Sequence, residues 1–267
     1  VERSRGLGDV YKRQVAAAAG LAKTGKKVFV TGPACFLAAR AYEQVKVDVA
    51  YNRTDVRIIG VSAGVSYGPL GCTHTTMHDF ASMRALPNLT ILAPCDAVQT
   101  EYLTDLLCQF TGPVYMRMGR GDVPPVYEAG EKFEIGKIKT VCEGTDATII
   151  ACGEMVAPAK KAAELLQAEG ISVRVLDCFT IQPMDTKTVE KALRETRAVV
   201  TVEEHSTRGG LGEAVSHIAA ELRGSAPMRL LGLPEEVVIG KSQELFAYYG
   251  LTPEGISAAI KERLECE

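Results

Sequence analysis

The amino-acid sequence predicts an α/β protein with two consecutive three-layer α/β/α domains, the first of them built on a parallel, doubly wound sheet. Short apolar runs alternate with segments of helical period along most of the chain, as in a parallel sheet covered by helices. The 267 residues leave room for two domains of ordinary size. The alternation breaks once, between residues 122 and 144, where Pro124-Pro125 and several glycines indicate a linker with one or two small strands. We therefore expect one domain over residues 15–121 and a second one over residues 145–267.

The stretch from Ile58 to Pro94 predicts a strand, a glycine-rich loop, a helix and a second strand. Residues 56–61 are apolar enough for a strand buried on both faces, and residues 89–92 begin another. Four glycines allow sharp turns in the loop between them: Gly60, Gly64, Gly68 and Gly71. We expect Thr73 to cap the helix, which places His74 at the carboxyl edge of the first strand. Ligands bind at that edge in open parallel sheets.

The other elements follow from the same alternation. Asp96 and Asp185 are suited to cap helices, because their side chains can accept hydrogen bonds from the first turn. Further strands are predicted at residues 27–31, 113–118, 147–151, 172–176, 198–202 and 228–233. Further helices are predicted at residues 15–22, 36–49, 97–110, 156–167, 185–195, 242–249 and 253–264, with one more ending at residue 222.

Residues 1–14 differ from the rest of the chain. They hold four basic and two acidic residues and show neither a helical nor a strand period. The first helix then begins abruptly at Val15, without a cap. Two interpretations stay open, a disordered N-terminal tail and a foreign segment joined to a truncated start.

Composition excludes several classes of partner. The net charge of −3 gives no electrostatic footprint for nucleic acid or for an acidic membrane. We find no apolar run long enough to span a bilayer, and we recognise no signal peptide. None of the eight cysteines forms a CxxC pair, which is typical of reduced thiols. We expect a cytoplasmic protein that binds neither nucleic acid nor membrane.

Two histidines lie close together after the glycine loop. His74 and His78 are four residues apart and Cys72 is near, so the spacing would suit part of a zinc site. There is no evident fourth ligand and no HExxH glutamate, and we assign no metal ligand. His74 is placed to reach a substrate, whereas we expect a structural role for His78.

Two arginines and a third histidine follow predicted strands. Arg117 lies within a buried strand, where it needs an anionic partner and is suited to an internal ion pair. Arg120 lies past the end of that strand between two glycines, which makes it the better candidate for binding phosphate. His205 follows two glutamates, and we expect it to be a satisfied structural histidine.

Taken in order, these segments resemble the C-terminal half of the transketolase family, which uses thiamine diphosphate. The resemblance covers about residues 15–267. The segments GPLGCTHTTMHD, MRALPNLTILAPCDAVQ and GPVYMRMGRGDVP resemble its pyrimidine-binding domain, and DCFTIQPMD and VEEHSTRGGLGEAV resemble its C-terminal domain. The family includes split enzymes, whose diphosphate-binding and pyrimidine-binding subunits are separate chains. This chain resembles the second kind.

The resemblance implies roles for three residues. Phe36 would stack on the aminopyrimidine of the cofactor, His74 would contact the substrate and act in catalysis, and Arg120 would bind a substrate phosphate. The reaction would transfer a two-carbon ketol unit between sugar phosphates. Thiamine diphosphate would be shared with an N-terminal, diphosphate-binding transketolase subunit that carries the magnesium, in a dimer of heterodimers.

The sequence departs from the family pattern at several positions. Tyr11 stands where the family has its catalytic glutamate, and Leu70 stands where it has a substrate-contacting aspartate. Ser62 replaces a histidine that many members carry. Two alternatives therefore remain beside the sugar-phosphate transketolase. One is an enzyme related to deoxyxylulose-phosphate synthase or the keto-acid dehydrogenases, and the other is a non-catalytic assembly subunit that keeps the fold.

Overall fold

The computed structural model describes residues 2–265, with side chains from residue 9 onward. Within these residues the chain forms two five-stranded sheets, one in each half, with helices packed against them. This confirms the predicted α/β architecture of two consecutive domains.

The first sheet has the strand order β1-β2-β4-β3-β8. Neighbouring strands from β1 to β4 pair in parallel, and β8 adds to the edge in the antiparallel direction. The strands are β1 (Val28–Pro33), β2 (Val56–Val61), β3 (Thr90–Leu92), β4 (Val114–Arg117) and β8 (Thr180–Gln182). Because Pro33 of β1 lies opposite Val61 of β2, the carboxyl ends of these two strands are neighbours.

The second sheet has the strand order β10-β9-β6-β7-β5. It is parallel except for β5, which pairs antiparallel with β7. The strands are β5 (Lys139–Cys142), β6 (Ala147–Ala151), β7 (Val173–Asp177), β9 (Ala198–Ser206) and β10 (Met228–Leu233). The strand β5 lies within the segment that the sequence predicted as a linker with small strands.

Helices connect the strands in both halves. The α-helices are α1 (Glu2–Ala22), α2 (Ala34–Arg40), α3 (Tyr42–Gln44), α4 (Asp79–Arg84), α5 (Ala97–Gln109), α6 (Val156–Ala168), α7 (Thr186–Glu195), α8 (Leu211–Glu221), α9 (Ser242–Tyr248) and α10 (Pro253–Glu265). A π-helix over Val45–Tyr51 continues α3, and short 3₁₀ turns cover Gly68–Thr73 and Gly153–Met155. As predicted, Asp96 and Asp185 cap α5 and α7 by accepting backbone hydrogen bonds from Gln99 and Thr188.

The first helix starts earlier than its predicted start at Val15. It begins at Glu2, so the interpretation of residues 1–14 as a disordered tail is wrong from Glu2 onward, whereas that of a foreign segment is not tested, and Val1 lies outside the described residues. Tyr11 packs its ring against Phe36, and Val15 is fully buried one turn later. These contacts with the first domain stabilise a helical segment that lacks a clear period of its own.

The helix predicted from Thr73 is also wrong. Residues 68–73 form a 3₁₀ turn, and α4 begins only at Asp79. Between them, Thr76 makes an antiparallel bridge with Gly64, and its backbone N–H donates to the Gly64 carbonyl at 2.8 Å. This pairing holds residues 74–78 outside the helix, so His74 and His78 do not share a helical face.

The two halves are joined by a common core. Phe80 and Tyr115 from the first half lie in the same buried cluster as Ile150 and Leu176 from the second. Each of these four side chains is less than 2% exposed. The buried core therefore continues from the first half of the molecule into the second.

Candidate active site

Two aromatic side chains meet at the carboxyl edge of the first sheet. Phe36 lies on α2, directly after β1, and His74 ends the 3₁₀ turn that follows β2. Their rings meet edge to face with centroids 5.2 Å apart, and both side chains are half-buried. The structure therefore brings together two of the three residues that the sequence singled out.

Tyr67 connects this pair to the third residue. Its ring lies edge-on to His74 with centroids 5.8 Å apart. The guanidinium carbon of Arg120 lies 5.1 Å from the Tyr67 ring centroid, a cation–π contact. Phe36, His74, Tyr67 and Arg120 thus form a continuous line of side chains, which we call the edge cluster. Sequence reasoning missed Tyr67, although an aromatic residue directly before the glycine turn was a usable signal.

The imidazole of His74 is held by its own loop. Thr73 Oγ1 lies 2.9 Å from His74 Nδ1, within hydrogen-bond distance. The backbone N–H of His74 donates to the Gly71 carbonyl at 3.0 Å, and Gly71 itself has a φ of +64°, which favours glycine. With Nδ1 engaged, the other ring nitrogen is the one available to a ligand or a proton.

Two further side chains pack against the Phe36 ring. The Arg40 guanidinium carbon lies 4.1 Å from its ring centroid, and the Tyr11 ring lies 5.3 Å away at an interplanar angle of 42°. Tyr11 also lies against the end of β1, because a side-chain carbon at Gly32 would lie 3.2 Å from the Tyr11 ring. The position at which the resemblance places the family glutamate is therefore filled by a phenol ring that packs on Phe36.

An apolar rim lies beside His74. Leu70 is 53% exposed and Ile239 is 70% exposed. A side-chain carbon at Gly71 would lie 3.2 Å from Ile239 Cγ1, which places Ile239 against the same turn. This part of the sheet edge is apolar, whereas the resemblance implies an aspartate at the position of Leu70.

A cleft of about 1260 Å³ opens next to Arg120, between the two halves. Its cationic lining residues are Arg120, Lys160, Lys161 and Lys241, and its acidic ones are Asp122, Glu154, Glu164 and Glu244. Lys161 pairs with Glu164 at 2.8 Å. Arg120 is exposed at the mouth of this cleft, so it can meet an anion that arrives from solvent.

A buried ionic network connects β4, α4 and β9. Arg117 donates to Asp79 at 3.0 Å and to the Glu204 carbonyl at 2.6 Å, and Tyr115 donates to Asp79 at 2.8 Å. Burial opposes a charged Arg117, but attraction to Asp79 and Glu204 raises its pKa above the usual value. This confirms the predicted internal ion pair of Arg117 and separates its role from that of Arg120.

His205 belongs to the same buried network. It is fully buried, and burial lowers its pKa to about 4 although Asp79 opposes the shift. The neutral ring donates from Nδ1 to the Ser206 carbonyl at 2.6 Å and accepts at Nε2 from the Ala81 backbone at 3.4 Å. The prediction of a satisfied structural histidine is confirmed.

The remaining candidate positions, His78 and Ser62, lie outside the edge cluster. His78 is exposed at the start of α4, and Ser62 is buried with a φ of +57°. Among residues 2–265, no three His, Cys, Asp or Glu side chains are grouped so that they could hold a metal ion. No helix in this part of the chain is long and apolar enough to cross a membrane.

Comparison with known families matches both halves. Residues 12–125 match the family described as "Transketolase, pyrimidine binding domain", and residues 136–256 match "Transketolase, C-terminal domain".

Individual relatives agree with these matches. The chain is 51% identical over 250 residues to a subunit of the apulose-4-phosphate transketolase of Phocaeicola vulgatus, covering 93% of this chain and 80% of the relative. It is 34% identical over 264 residues to a "6-deoxy-6-sulfo-D-fructose transketolase subunit" of a Clostridium species, covering 98% and 82%. A solved structure titled "Split gene transketolase, inactive beta4 tetramer" superposes with a TM-score of 0.85 at 38% identity, over 93% of this chain and 79% of that one.

The fold and these matches define a subunit of a thiamine-dependent transferase, and the chain belongs to the transketolase family as a C-terminal subunit of the split kind. Membership implies thiamine diphosphate as the cofactor of the pyrimidine-binding half and a separate partner chain.

Proposed function

We propose that this chain assembles with an N-terminal, diphosphate-binding transketolase subunit and transfers a two-carbon ketol unit between sugar phosphates. The observation that carries the proposal is the edge cluster. It arranges an aromatic ring, a histidine and an exposed arginine in one line along the carboxyl edge of the sheet. These are the groups needed to pack against a heterocycle, to exchange a proton and to bind a phosphate.

The residues present fit the cofactor in part. Phe36 is half-buried at the sheet edge, so the exposed part of its ring can pack against a flat aminopyrimidine. When bound, thiamine diphosphate supplies the carbanion chemistry, and the protein supplies position and proton traffic. Tyr11 does not fit the carboxylate position, since a phenol cannot take the part of a glutamate beside the aminopyrimidine. The stacking surface is therefore present without the acidic group.

His74 and Arg120 act on the substrate in this proposal. The available nitrogen of His74 would hydrogen-bond to substrate oxygens near the reacting carbon and move a proton there. Arg120 would bind the terminal phosphate at the mouth of the cleft through charge-assisted hydrogen bonds. Tyr67, which touches both side chains, fixes the distance between these two functions.

The partner and the assembly complete the proposal. The matched families are the pyrimidine-binding and C-terminal domains, and the 51% identical relative is itself named as one subunit of its enzyme. We place the diphosphate site and its magnesium on the partner, and we propose a dimer of heterodimers. The seven cysteines within the described residues are all free thiols, which supports a cytoplasmic location.

The test is cofactor binding by calorimetry with magnesium present. The isolated chain should bind thiamine diphosphate weakly or not at all, and co-expression with the N-terminal subunit should produce a complex that binds it. Tight, magnesium-dependent binding by the isolated chain would contradict the proposal. A complex that binds cofactor but shows no ketol transfer after a glutamate is supplied at position 11 would favour the non-catalytic assembly subunit, for which the Tyr11 contact is the supporting observation.

A further inference from the structure

Glu204, on β9 of the second half, supports the loop that carries Tyr67. Its side chain is 2% exposed, and Oε1 accepts a hydrogen bond of 2.7 Å from the Val65 backbone N–H. Gly64 makes this approach possible, because a side-chain carbon there would overlap the carboxyl group of Glu204. The loop is thus fixed two residues before Tyr67.

Glu154, in the 3₁₀ turn that precedes α6, supports the loop that carries Arg120 in the same way. The nearby Arg120 backbone N–H favours the ionised form of this carboxyl group, against the effect of burial. It lies directly against Gly119, where a side-chain carbon would overlap Oε1 of Glu154. The Glu154 carboxylate therefore occupies space that is open only because residue 119 is glycine.

Both glutamates come from the second half of the chain, and both loops belong to the first. We propose that Glu154 and Glu204 are positioning residues through which the second domain sets Arg120 and Tyr67 for binding the substrate phosphate. This inference rests on the proposed function, because it takes Arg120 as the phosphate ligand. It gives the second domain a part in substrate recognition although none of its residues belongs to the edge cluster.

The electrostatic surroundings agree with a positioning role. Burial raises the pKa of Glu204 to about 8, Glu154 adds to the shift, and Arg117 opposes it. Burial also raises the pKa of Glu154, against the effect of Arg117. Two acidic groups beside one arginine favour a state in which one of them keeps its proton, since like charges close together disfavour double ionisation. The pair then carries less negative charge that would repel a phosphate bound at Arg120.

The experiment compares alanine and glutamine at both positions, in the assembled complex with Tyr11→Glu as the parent. Alanine removes the hydrogen-bond acceptor, whereas glutamine keeps a carbonyl oxygen of similar reach. We expect Glu154→Ala and Glu204→Ala to raise KM for ribose 5-phosphate about tenfold, the size of one lost hydrogen bond. We expect little change in kcat or in KM for glycolaldehyde, which has no phosphate. Glu154→Gln and Glu204→Gln should stay close to the parent.

A second measurement does not depend on turnover. Amide hydrogen exchange should become faster at Val65 in Glu204→Ala and at Arg120 in Glu154→Ala, and the glutamine variants should preserve protection. Glu164→Ala is the matched control, because Glu164 lines the same cleft but pairs with Lys161 in solvent. It should change neither readout.

Three results would overturn the inference. In the first, the alanine variants raise KM equally for both substrates, so the glutamates support the fold alone. In the second, exchange at Val65 and Arg120 is unchanged. In the third, the parent complex shows no preference for the phosphorylated substrate. That third result would already count against the proposed function before any glutamate is changed, so the two failures can be told apart.

Discussion

Tyr11 and Phe36 are in direct ring contact, with centroids 5.3 Å apart. Position 11 is where the family resemblance places a glutamate, so the side chain that should handle a proton is replaced by one that only packs. We predict that the complex as it stands is inactive and that Tyr11→Glu restores ketol transfer. A general acid–base group typically contributes about 10²- to 10⁴-fold in rate, which a coupled turnover assay detects easily.

Tyr11→Gln is the control for this prediction. It has the length of glutamate without the ionisable group, so it should relieve the contact with Phe36 and still leave the complex inactive. If Tyr11→Glu is inactive with sugar phosphates and keto acids alike, the non-catalytic assembly subunit becomes the better description.

Arg120→Ala should raise KM for phosphorylated substrates far more than it lowers kcat. Loss of a charge-assisted contact costs about 1.5–3 kcal/mol, roughly a 10- to 150-fold change in KM. The measurement compares ribose 5-phosphate with glycolaldehyde in the Tyr11→Glu complex. Arg229→Ala, on the far strand β10, is the matched control and should leave both values unchanged. An equal effect on both substrates would show that Arg120 is structural.

His74→Ala should lower turnover while cofactor affinity stays nearly constant. His74 touches Phe36 only edge to face, so the stacking surface remains when the imidazole is removed. Calorimetry measures the cofactor affinity of the Tyr11→Glu complex, and an enzyme assay measures its turnover. Thr73→Ala removes the hydroxyl at 2.9 Å from Nδ1 and should produce a smaller loss of turnover. A parallel loss of cofactor affinity would assign His74 to the cofactor instead.

Arg117→Met should destabilise the protein by about 3–5 kcal/mol, because it leaves the buried Asp79 carboxylate without its cation. Urea unfolding followed by circular dichroism measures the change. Lys161→Met breaks an exposed pair of similar geometry and should leave the free energy of unfolding nearly unchanged. Similar losses in the two variants would mean that the buried pair is not a main source of stability.

Stability should fall as pH rises toward 8, in part because of Glu204. In the folded protein its pKa is raised to about 8 from an ordinary value of 4.5. Between these pH values the folded protein keeps a proton on Glu204 that the unfolded chain has released. The contribution of Glu204 to the free energy of unfolding is therefore fully present below about pH 4.5 and is lost as pH rises to about 8. Glu154, Arg117 and Asp79 face the same carboxyl group and are retained in the test.

The variant for this prediction is Glu204→Gln, which is neutral at every pH. Urea unfolding between pH 5 and 8 should show a shallower decline for this variant than for the parent protein, while the exposed Glu164→Gln should follow the parent. Parallel curves for Glu204→Gln and the parent would show that Glu204 titrates normally in the folded state.

The sequence predicted best what depends on local pattern. The bounds of β2, β6 and β10 were predicted to the residue, because each is a short apolar run closed by turn residues. The helix predicted from Thr73 failed because a non-local bridge between Gly64 and Thr76 overrides the local capping signal. Strand β8 was missed because its pairing partner lies about 90 residues earlier, in the other half of the chain.

The residues of the candidate site could likewise be predicted from the sequence only in part. His74 and Arg120 were found from position and residue type, Phe36 was found only through the family resemblance, and the structure brings the three together through Tyr67. Their catalytic and binding roles stay predictions. Glu154 and Glu204 gave no signal in the sequence, because what singles them out is their contact with backbone groups more than 30 residues away.

The antiparallel pairing of β8 with β3 limits where a gene that encodes these two halves can be split. In that pairing Leu92 lies opposite Thr180, so a segment of the second half completes the sheet of the first. A chain cut in the linker would leave β3 as an open edge, and unpaired edges are templates for aggregation. Fission between these two halves would thus be penalised by misassembly, and the two halves are expected to be inherited and recombined as one block.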